Sequence, residues 1–396
     1  MNTQKDHQAL VVVTNAEADL HADGSIGMTA KFVDGMARYA ELWDGPIRCV
    51  CPPREAPNTD LDPTTVRSGE CGFEVQVSHL DAASLRPALS DAAVVMASAG
   101  YLQNHISTLG TEMDVPVVYV CELSIRTRLD IARSEERRPV RLARRAAWEL
   151  NQERKQRQAI RRGRGVQCNG TPTYDAYRSL TDNALLYFDT RSDDTIIASD
   201  AAVERRLAQH RNGRLRLGFS GRLVSIKGVD DLVAVAVALA ERGVDFEFQI
   251  FGDGDRRQSM QAVIDEANLS DRVQLCGAVD FASELMPRIR DEVDLFVCCH
   301  LQGDPSCTYL ETMACGVPIV GYANEAFAGL LERVNAGQAV KVGDVQALAD
   351  LIERIAQRRE QLYPWSRTAV AFAREHSFER TFERRIAHMA SVAGLN

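Results

Sequence analysis

Asp304-Pro-Ser-Cys-Thr-Tyr-Leu-Glu311-Thr-Met-Ala-Cys-Gly316-Val-Pro-Ile-Val-Gly321 decides the fold of this chain. Immediately before it, Val293-Asp-Leu-Phe-Val-Cys-Cys299 is a compact apolar run, the pattern of a fully buried strand in a parallel sheet. His300 to Pro305 is polar and turn-rich. Thr308-Tyr-Leu-Glu311 has the capping-box spacing, Thr followed three residues later by Glu, which predicts a helix start there. Gly316 and Val317-Pro318 stop that helix, and Pro318-Ile-Val320 begins another short strand. Strand, loop, helix, Gly and strand make one βαβ unit with its loop at the carboxyl edge of the sheet. Open α/β sheets hold ligands at that edge, and the free N–H groups of a helix start suit a diphosphate.

Working outward, 396 residues are enough for two domains, each with its own core. Hydrophobic residues at 45% and charged residues at 26% are ordinary for a soluble globular protein. With no run of 18 apolar residues, a membrane-spanning helix is not expected. The polar start, Met1 to His7, enters Ala9-Leu-Val-Val-Val13 at once. That run is too short for a signal-peptide core and reads as the first strand of a cytoplasmic protein. Of the ten cysteines, Cys49, Cys51, Cys276, Cys298 and Cys299 sit inside apolar runs and no Cys-x-x-Cys pair occurs. Buried, reduced thiols are the expectation, and neither disulfides nor a metal site.

The net charge of −9 is unevenly spread. Residues 133–164 carry 12 basic and 4 acidic side chains, a local +8, so the remainder carries −17. This segment reads as one or two helices interrupted early by Pro139, with a modest apolar stripe of Val140, Ala143, Ala147 and Leu150 near Trp148. Two readings stand side by side. One is a solvated basic face on a helix packed against its own domain; the other is an electrostatic dock for an anionic membrane surface, with membrane association of a cytoplasmic protein. Nucleic acid is not an expected partner, because no aromatic interleaving or reader motif accompanies the charge.

Taken in order, Ala9–Val13 leads into a loop, Asn15 to Gly27, that carries Asp23-Gly-Ser-Ile-Gly27. Met28, Phe32, Met36, Tyr39 and Leu42 then recur at near-helical spacing. Ile47–Cys51, Phe73–Val77, Ala92–Met96 and Val115–Val120 read as strands alternating with helices, the pattern of a parallel sheet covered on both faces. Glu122 follows the last of them, either as a hydrogen-bond acceptor facing a ligand or as a first-turn Glu on a helix dipole. Val166–Gly170 is a strand, and Thr171-Pro-Thr-Tyr174 reads as a helix start with Thr171 as N-cap. Ala184–Phe188 is the next strand, and Asp189 to Asn212 holds a linker.

Arg214–Ser220 opens a second domain and runs into Gly221-Arg222-Leu-Val-Ser-Ile-Lys227-Gly228. A Gly turn there lets the backbone approach a ligand, and two cations stand five residues apart. A surface charge pair at a helix start is the plain alternative. Phe246–Phe251 ends in Gly252-Asp-Gly-Asp255, whose Asp-x-Asp is a metal-binding spelling that Asp60-Leu-Asp62 repeats. It is read as a turn rather than a metal site. Val273–Gly277 is a further strand, Lys341 to Gln361 contains a helix, and Phe378, Phe382 and Ile386 lie at i, i+4 and i+8 in an amphipathic tail.

The stretches 304–321 and 221–228 together resemble the donor-binding signatures of the retaining family-4 glycosyltransferases of the GT-B fold. That family's signature is Glu, seven residues, Glu, then a small-residue helix ending Cys-Gly-Val-Pro. Glu311 stands at the second acid; position 303 is Gly, and the nearest acid is Asp304, as in relatives with an Asp-Pro-Ser/Cys loop. The resemblance implies an α/β chain of two Rossmann-like domains facing a cleft. These are an acceptor domain at 1–190, a linker at 191–213, a nucleotide-sugar donor domain at 214–363, and a tail at 364–396 whose helix crosses back to the first domain. It further implies retaining transfer of a sugar from a nucleotide-diphosphate sugar to a hydroxyl acceptor, a lipid or a glycan at the membrane surface, with no metal and no cofactor. On that resemblance Arg222 and Lys227 neutralise the diphosphate, Glu311 holds the ribose and Asp304 the donor sugar. Gly221, Ser306, Cys307, Thr308 and Tyr309 line the donor, and Gly277 to Val279 meets the base. Gly24, Ser25 and Gly27 of the first loop, with Glu122, face the acceptor. Two rivals remain. A nicotinamide dehydrogenase requires a Gly-x-Gly-x-x-Gly turn after a strand, which neither half contains. A non-catalytic nucleotide-sugar-binding protein of the same fold is kept open as the alternative by the missing acid at 303.

Overall fold

A computed structural model of the chain describes residues 9–55, 63–136, 138–209 and 213–395; Asp60-Leu-Asp62 lies outside them. The apolar runs form two parallel sheets. In the first, the strands stand in the order Ala184–Tyr187, Gly165–Asn169, Val117–Cys121, Ala92–Ser98, Ala9–Val13, Ile47–Cys51, Glu74–Val77. In the second the order is Val273–Gly277, Phe246–Phe251, Leu215–Ser220, Leu295–Cys298, Ile319–Tyr322, Gly337–Val340. All neighbours within each sheet run parallel. Strands such as Ala9–Val13 and Leu215–Ser220 are buried along their whole length, as a sheet covered on both faces requires.

Each sheet reverses its winding direction once. In the first, the chain leaves Ala9–Val13 toward Ile47–Cys51 and returns on the other side at Ala92–Ser98. In the second, the reversal falls between Leu215–Ser220 and Leu295–Cys298. A crevice opens outside the carboxyl ends of strands at such a switch point, because the flanking loops diverge to opposite faces. The residues that follow these four strands are therefore the ones positioned to meet a ligand: Thr14, Ala99, Gly221-Arg222 and Cys299 to Pro305.

Four local readings change in the folded chain. The first loop is not plain: Asp19–Leu20, Ile26–Thr29 and Pro63–Val66 pair as a small antiparallel sheet, so Met28 is in a strand. The helix begins at Ala30 with Thr29 as its cap. Thr171 is not an N-cap; the helix is Gly170–Tyr177 behind Asn169, whose side chain is engaged elsewhere. The stripe of Val140, Ala143, Ala147 and Leu150 points outward, Val140 being 66% and Leu150 50% exposed. The buried side of Pro139–Arg162 is Glu149, Glu153, Gln156, Ala159 and Ile160, with both acids paired to Arg128. A helix face can be buried on neutralised carboxylates, a possibility that apolar periodicity does not register.

The tail also divides differently. Leu362–Glu375 stays with the second domain, its Leu362, Ala369 and Ala373 in that core. Phe378–Ala393 is the helix that returns: Phe382, Ile386 and Met389 enter the first domain's core, and Phe382 meets Tyr39 at 4.8 Å between ring centroids. The linker is stitched to the second domain by Asp200–Gln209, from which buried Arg206 donates to the carbonyls of Arg290, Cys315 and Gly316.

Candidate active site

On the second domain, the two strands flanking the switch point are clamped together by one glycine. Gly228 has φ +64°, and a Cβ there would lie 1.8 Å from the carbonyl oxygen of Cys299. Only Gly tolerates both the conformation and the contact. Gly228→Ala is expected to cost about 2–5 kcal/mol, the sum of left-handed strain and overpacking. A urea midpoint equal to wild type would show that the clamp is soft.

The clamp fixes Lys227, 8% exposed, with Nζ 3.4 Å from Asp304 Oδ2. Gln302 Nε2 approaches the same oxygen at 3.3 Å. Arg222 leaves the end of the neighbouring strand exposed and makes no side-chain hydrogen bond or ion pair with the described residues. Among the described residues Lys227 is thus paired with Asp304, just before Cys307–Ala314, while Arg222 at the end of Leu215–Ser220 is unpaired.

That helix starts with Ser306 as its cap residue and without a side-chain cap, so the Thr308–Glu311 capping box does not form. Glu311 is drawn elsewhere: its Oε1 accepts from Arg191 Nε at 2.9 Å, and the residue is only 4% exposed. The Arg191 guanidinium lies 3.8 Å from the centroid of the Phe281 ring. Burial holds the Glu311 carboxyl above the usual carboxylate range, with Arg191 opposing. Arg191 escaped the sequence reading, since nothing in the linker's spacing marks it. The uncapped amides of Ser306 to Thr308 remain open, and Cys307 Sγ points toward the first domain.

Tyr309, expected at the donor, is instead a buried side chain. Its ring stacks on Phe327, and its hydroxyl meets Asn324 Nδ2 at 3.2 Å and His300 Nδ1 at 3.4 Å. Gly277 turns with φ +80°, and Val279 after it packs at the margin of the core just before Phe281. Gly252 packs on the carbonyl of Gly221, making Gly252–Asp255 a structural turn. Among the described residues no group of three or more His, Cys, Asp or Glu could hold a metal ion.

On the first domain, Glu122 precedes the helix Ile125–Glu135, which Ser124 caps, so the first-turn reading is set aside. Its carboxylate accepts from Asn169 Nδ2 at 2.7 Å and Tyr187 Oη at 2.9 Å. Burial and the charge of Asp189 raise its pKa; the two donors and Arg385 oppose. Arg385, on the returning helix, packs over the Tyr187 ring and donates to Gln167 Oε1 at 2.8 Å. Glu122, Arg385, Thr29, Lys31 and Tyr39 line an inner chamber of about 360 Å³ at the first switch point. Gly24, Ser25 and Gly27 do not line it. Ser25 is tied to Asp23, and Gly27 pairs with Asp19 and Thr65. Lys31 and Arg385 take the place expected for those loop residues; an amphipathic pattern marks only the apolar face beside them.

The domains meet where Gly170–Tyr177 packs on Glu325–Leu331, Thr171 lying against Gly329 and Gly170 against Pro305, and through polar contacts across the cleft. Lys31 Nζ is 2.7 Å from Asp189 Oδ2 and 3.5 Å from Cys307 Sγ. Burial works against its charge, yet Asp189 and Cys307 hold its pKa above the usual lysine range. Ser124 Oγ is 3.0 Å from Glu325 Oε2, and Thr127 donates to the carbonyl of Gly303 at 3.2 Å. A Cβ at 303 would lie 2.7 Å from Glu325 Cβ. In this arrangement the position has no room for a side chain, which accounts for Gly where the family signature has an acid.

Residues 214–358 match the family described as glycosyl transferases group 1. Among curated proteins, the chain is 28% identical over 165 residues to a 2-deoxystreptamine glucosyltransferase of Streptomyces kanamyceticus, covering 41% of this chain and 42% of that protein. It is 30% identical over 200 residues to a 2-deoxystreptamine N-acetyl-D-glucosaminyltransferase of Streptomyces fradiae, covering 49% and 47%. The chain thus spans less than half the length of the curated relatives it matches. Among solved structures, HepE of Anabaena in complex with UDP superposes with a TM-score of 0.66 at 15% identity, over 97% of this chain and 99% of that one. WaaG, a glycosyltransferase involved in lipopolysaccharide biosynthesis, gives 0.59 at 12% identity over 96% and 99%. Residues 214–358 of this chain thus match glycosyl transferases group 1, and the chain as a whole has the GT-B fold of two facing Rossmann-like domains.

Proposed function

We propose that this protein is a retaining glycosyltransferase that moves a sugar from a nucleotide-diphosphate sugar to a hydroxyl acceptor without a metal ion. The observation that carries the reading is the convergence of Arg222, Lys227 and the open amides of Ser306 to Thr308 at the second switch point, opposite the Glu122 chamber. As the sugar–phosphate bond breaks, negative charge grows on the departing diphosphate. Two cations and helix-end amides, already oriented, stabilise that charge without reorganising. Glu311 holds the ribose hydroxyls, steadied by Arg191, and Asp304 the donor sugar. Structural relatives crystallised with UDP and with UDP-glucose support a uridine nucleotide as the first donor to try.

Slow hydrolysis without acceptor tests this. UDP-glucose, GDP-mannose and ADP-glucose are incubated with the protein, and NMR reads the anomer first released. Release of the α-anomer from an α-linked donor supports retention, and the β-anomer refutes it. No turnover with any donor, alongside tight nucleotide binding, would favour the non-catalytic rival that the missing acid at 303 suggests.

The acceptor is proposed to be presented at an anionic membrane surface by Pro139–Arg162. No helix among the described residues is long and apolar enough to cross a membrane. Arg138, Arg144, Arg154, Lys155, Arg161 and Arg164 are exposed, and their side chains have no ion-pair or hydrogen-bond partner among the described residues. Arg145 and Arg157, by contrast, pair with Glu135 and Glu153. Six cations at roughly 1 kcal/mol each give weak, salt-sensitive attachment. Sedimentation with phosphatidylglycerol vesicles should therefore occur at about 0.1 M salt and vanish by about 0.5 M. No binding at low salt would leave a soluble acceptor.

A further inference from the structure

A second chamber opens from the first. It has a volume of about 500 Å³ and shares Thr14, Ala16, Ser98, Val120 and Glu122 with the inner chamber. From Glu122 it runs outward between the loop after Ala92–Ser98 and the basic helix. At its outer end stand Tyr101 and Trp148, edge to face with centroids 5.5 Å apart. They remain 60% and 45% exposed although both are large enough to be buried.

The chemistry of the walls is specific. The arginines that line this groove are already neutralised: Arg128 by Glu149 and Glu153, Arg145 by Glu135 at 2.7 Å. No unpaired cation is therefore offered to an anionic occupant, and Glu122 at the inner end is a carboxylate held by the neutral donors Asn169 and Tyr187. Apart from Glu122, the remaining polar groups are the amides and hydroxyls of Thr14, Asn15, Ser98, Gln152 and Gln156, interleaved with apolar side chains such as Leu102, Val120 and Ile131. Hydrocarbon laid there would strip water from those groups without replacing its hydrogen bonds. A sugar ring fits both demands: its hydroxyls satisfy amides, while its C–H face packs on an aromatic platform.

Resting on the glycosyltransferase reading above, we propose that this groove binds the acceptor as an uncharged saccharide, one ring of which stacks on Trp148 and Tyr101 with its reacting hydroxyl directed inward to Glu122. The 500 Å³ accommodates more than one ring, so the acceptor is a glycan end or glycoside rather than a free lipid phosphate. The reading extends to a lipid-linked glycan only if its sugar, not its phosphate, enters this groove.

The test uses defined probes on the whole protein: methyl glycosides of glucose, galactose and N-acetylglucosamine, then glucosamine as a cation and dodecyl phosphate as a lipid anion. Tryptophan fluorescence reports the groove, with Trp148→Phe as the silent control because the ring is kept. At least one neutral glycoside should change the signal of the wild type and not of Trp148→Phe. Trp148→Ala and Tyr101→Ala should raise the KM of that glycoside as acceptor about tenfold or more, with affinity for UDP changed less than about twofold. Trp148→Phe should recover most of the loss. Both side chains are exposed, so unchanged melting temperatures are expected. Absence of any response to neutral glycosides up to about 50 mM overturns the proposal. So does a preference for glucosamine or dodecyl phosphate, or an acceptor KM insensitive to Trp148→Ala. Failure of the glycosyltransferase reading shows separately, as donor that binds and is never cleaved while glycosides still quench Trp148.

Discussion

Lys227→Ala is expected to lower sugar transfer about 10²–10³-fold, the loss typical of one preorganised charge contact in a water-poor site. Arg222→Ala should fall in the same range. The two differ in what they leave behind. Arg222 has no side-chain partner among the described residues, so its removal should cost only the interaction with the diphosphate. Lys227 is nearly buried beside Asp304, and its removal leaves that carboxylate facing Gln302 alone. Lys227→Ala should therefore lose some stability as well, and Lys227→Ala combined with Asp304→Asn should regain stability without regaining turnover. Steady-state kinetics with UDP-glucose hydrolysis, paired with urea unfolding, measure both. Near-normal turnover in both single variants would remove these cations from the mechanism.

Glu311→Gln should weaken nucleotide binding about 10–100-fold, because a hydrogen bond to a charged group is worth about 1.5–3 kcal/mol and each 1.4 kcal/mol is a factor of ten. Asp304→Asn should spare free nucleotide while impairing transfer. Calorimetry with UDP separates the two, and equal losses of affinity would refute the division of labour. The same variant carries a pH signature. Burial raises the folded-state pKa of Glu311, so the folded protein holds that proton better than the unfolded chain does. Its contribution to stability is greatest below the unfolded carboxylate value of about 4.3 and is lost as pH rises through the folded pKa. The stability of Glu311→Gln relative to wild type should thus rise between about pH 4 and neutrality. Unfolding at four or five pH values checks the sign.

Much of this molecule is written locally. The apolar runs of the two parallel sheets became strands, and central ones such as Ala9–Val13 and Leu295–Cys298 are buried throughout because both faces of the sheet are covered. Ala9–Val13, Phe246–Phe251 and Val273–Gly277 match the sequence reading residue for residue. The loop motifs 221–228 and 304–321 could be placed on the correct strand ends for the same reason. Helix starts were less legible. Thr308 and Thr171 carry capping spellings, but the carboxylate of Glu311 and the amide of Asn169 were claimed by partners distant in sequence, Arg191 and Glu122. Where a polar side chain has a local and a long-range partner, burial strengthens the long-range one, and no window of sequence contains it.

Two sites therefore divide cleanly. The proposed donor side lies within two contiguous stretches whose order and spacing are sequence properties, and the family match falls on residues 214–358 alone. The two chambers of the first domain are lined by Lys31, Glu122, Trp148 and Arg385, brought together from four separate parts of the chain. The returning helix contributes Arg385 only because its apolar face found the first domain's core. Gly303 reads from sequence as a lost acid; its meaning came from Glu325, which stands where that side chain would begin. Sequence by itself determined most strands of the two parallel sheets and the loops that follow Leu215–Ser220 and Leu295–Cys298, since those follow from local burial patterns. The small antiparallel sheet of Asp19–Leu20, Ile26–Thr29 and Pro63–Val66 came only with the fold. Tertiary packing alone decided which charges are paired, which aromatics stay open to the cleft, and where the chain has no room for a side chain.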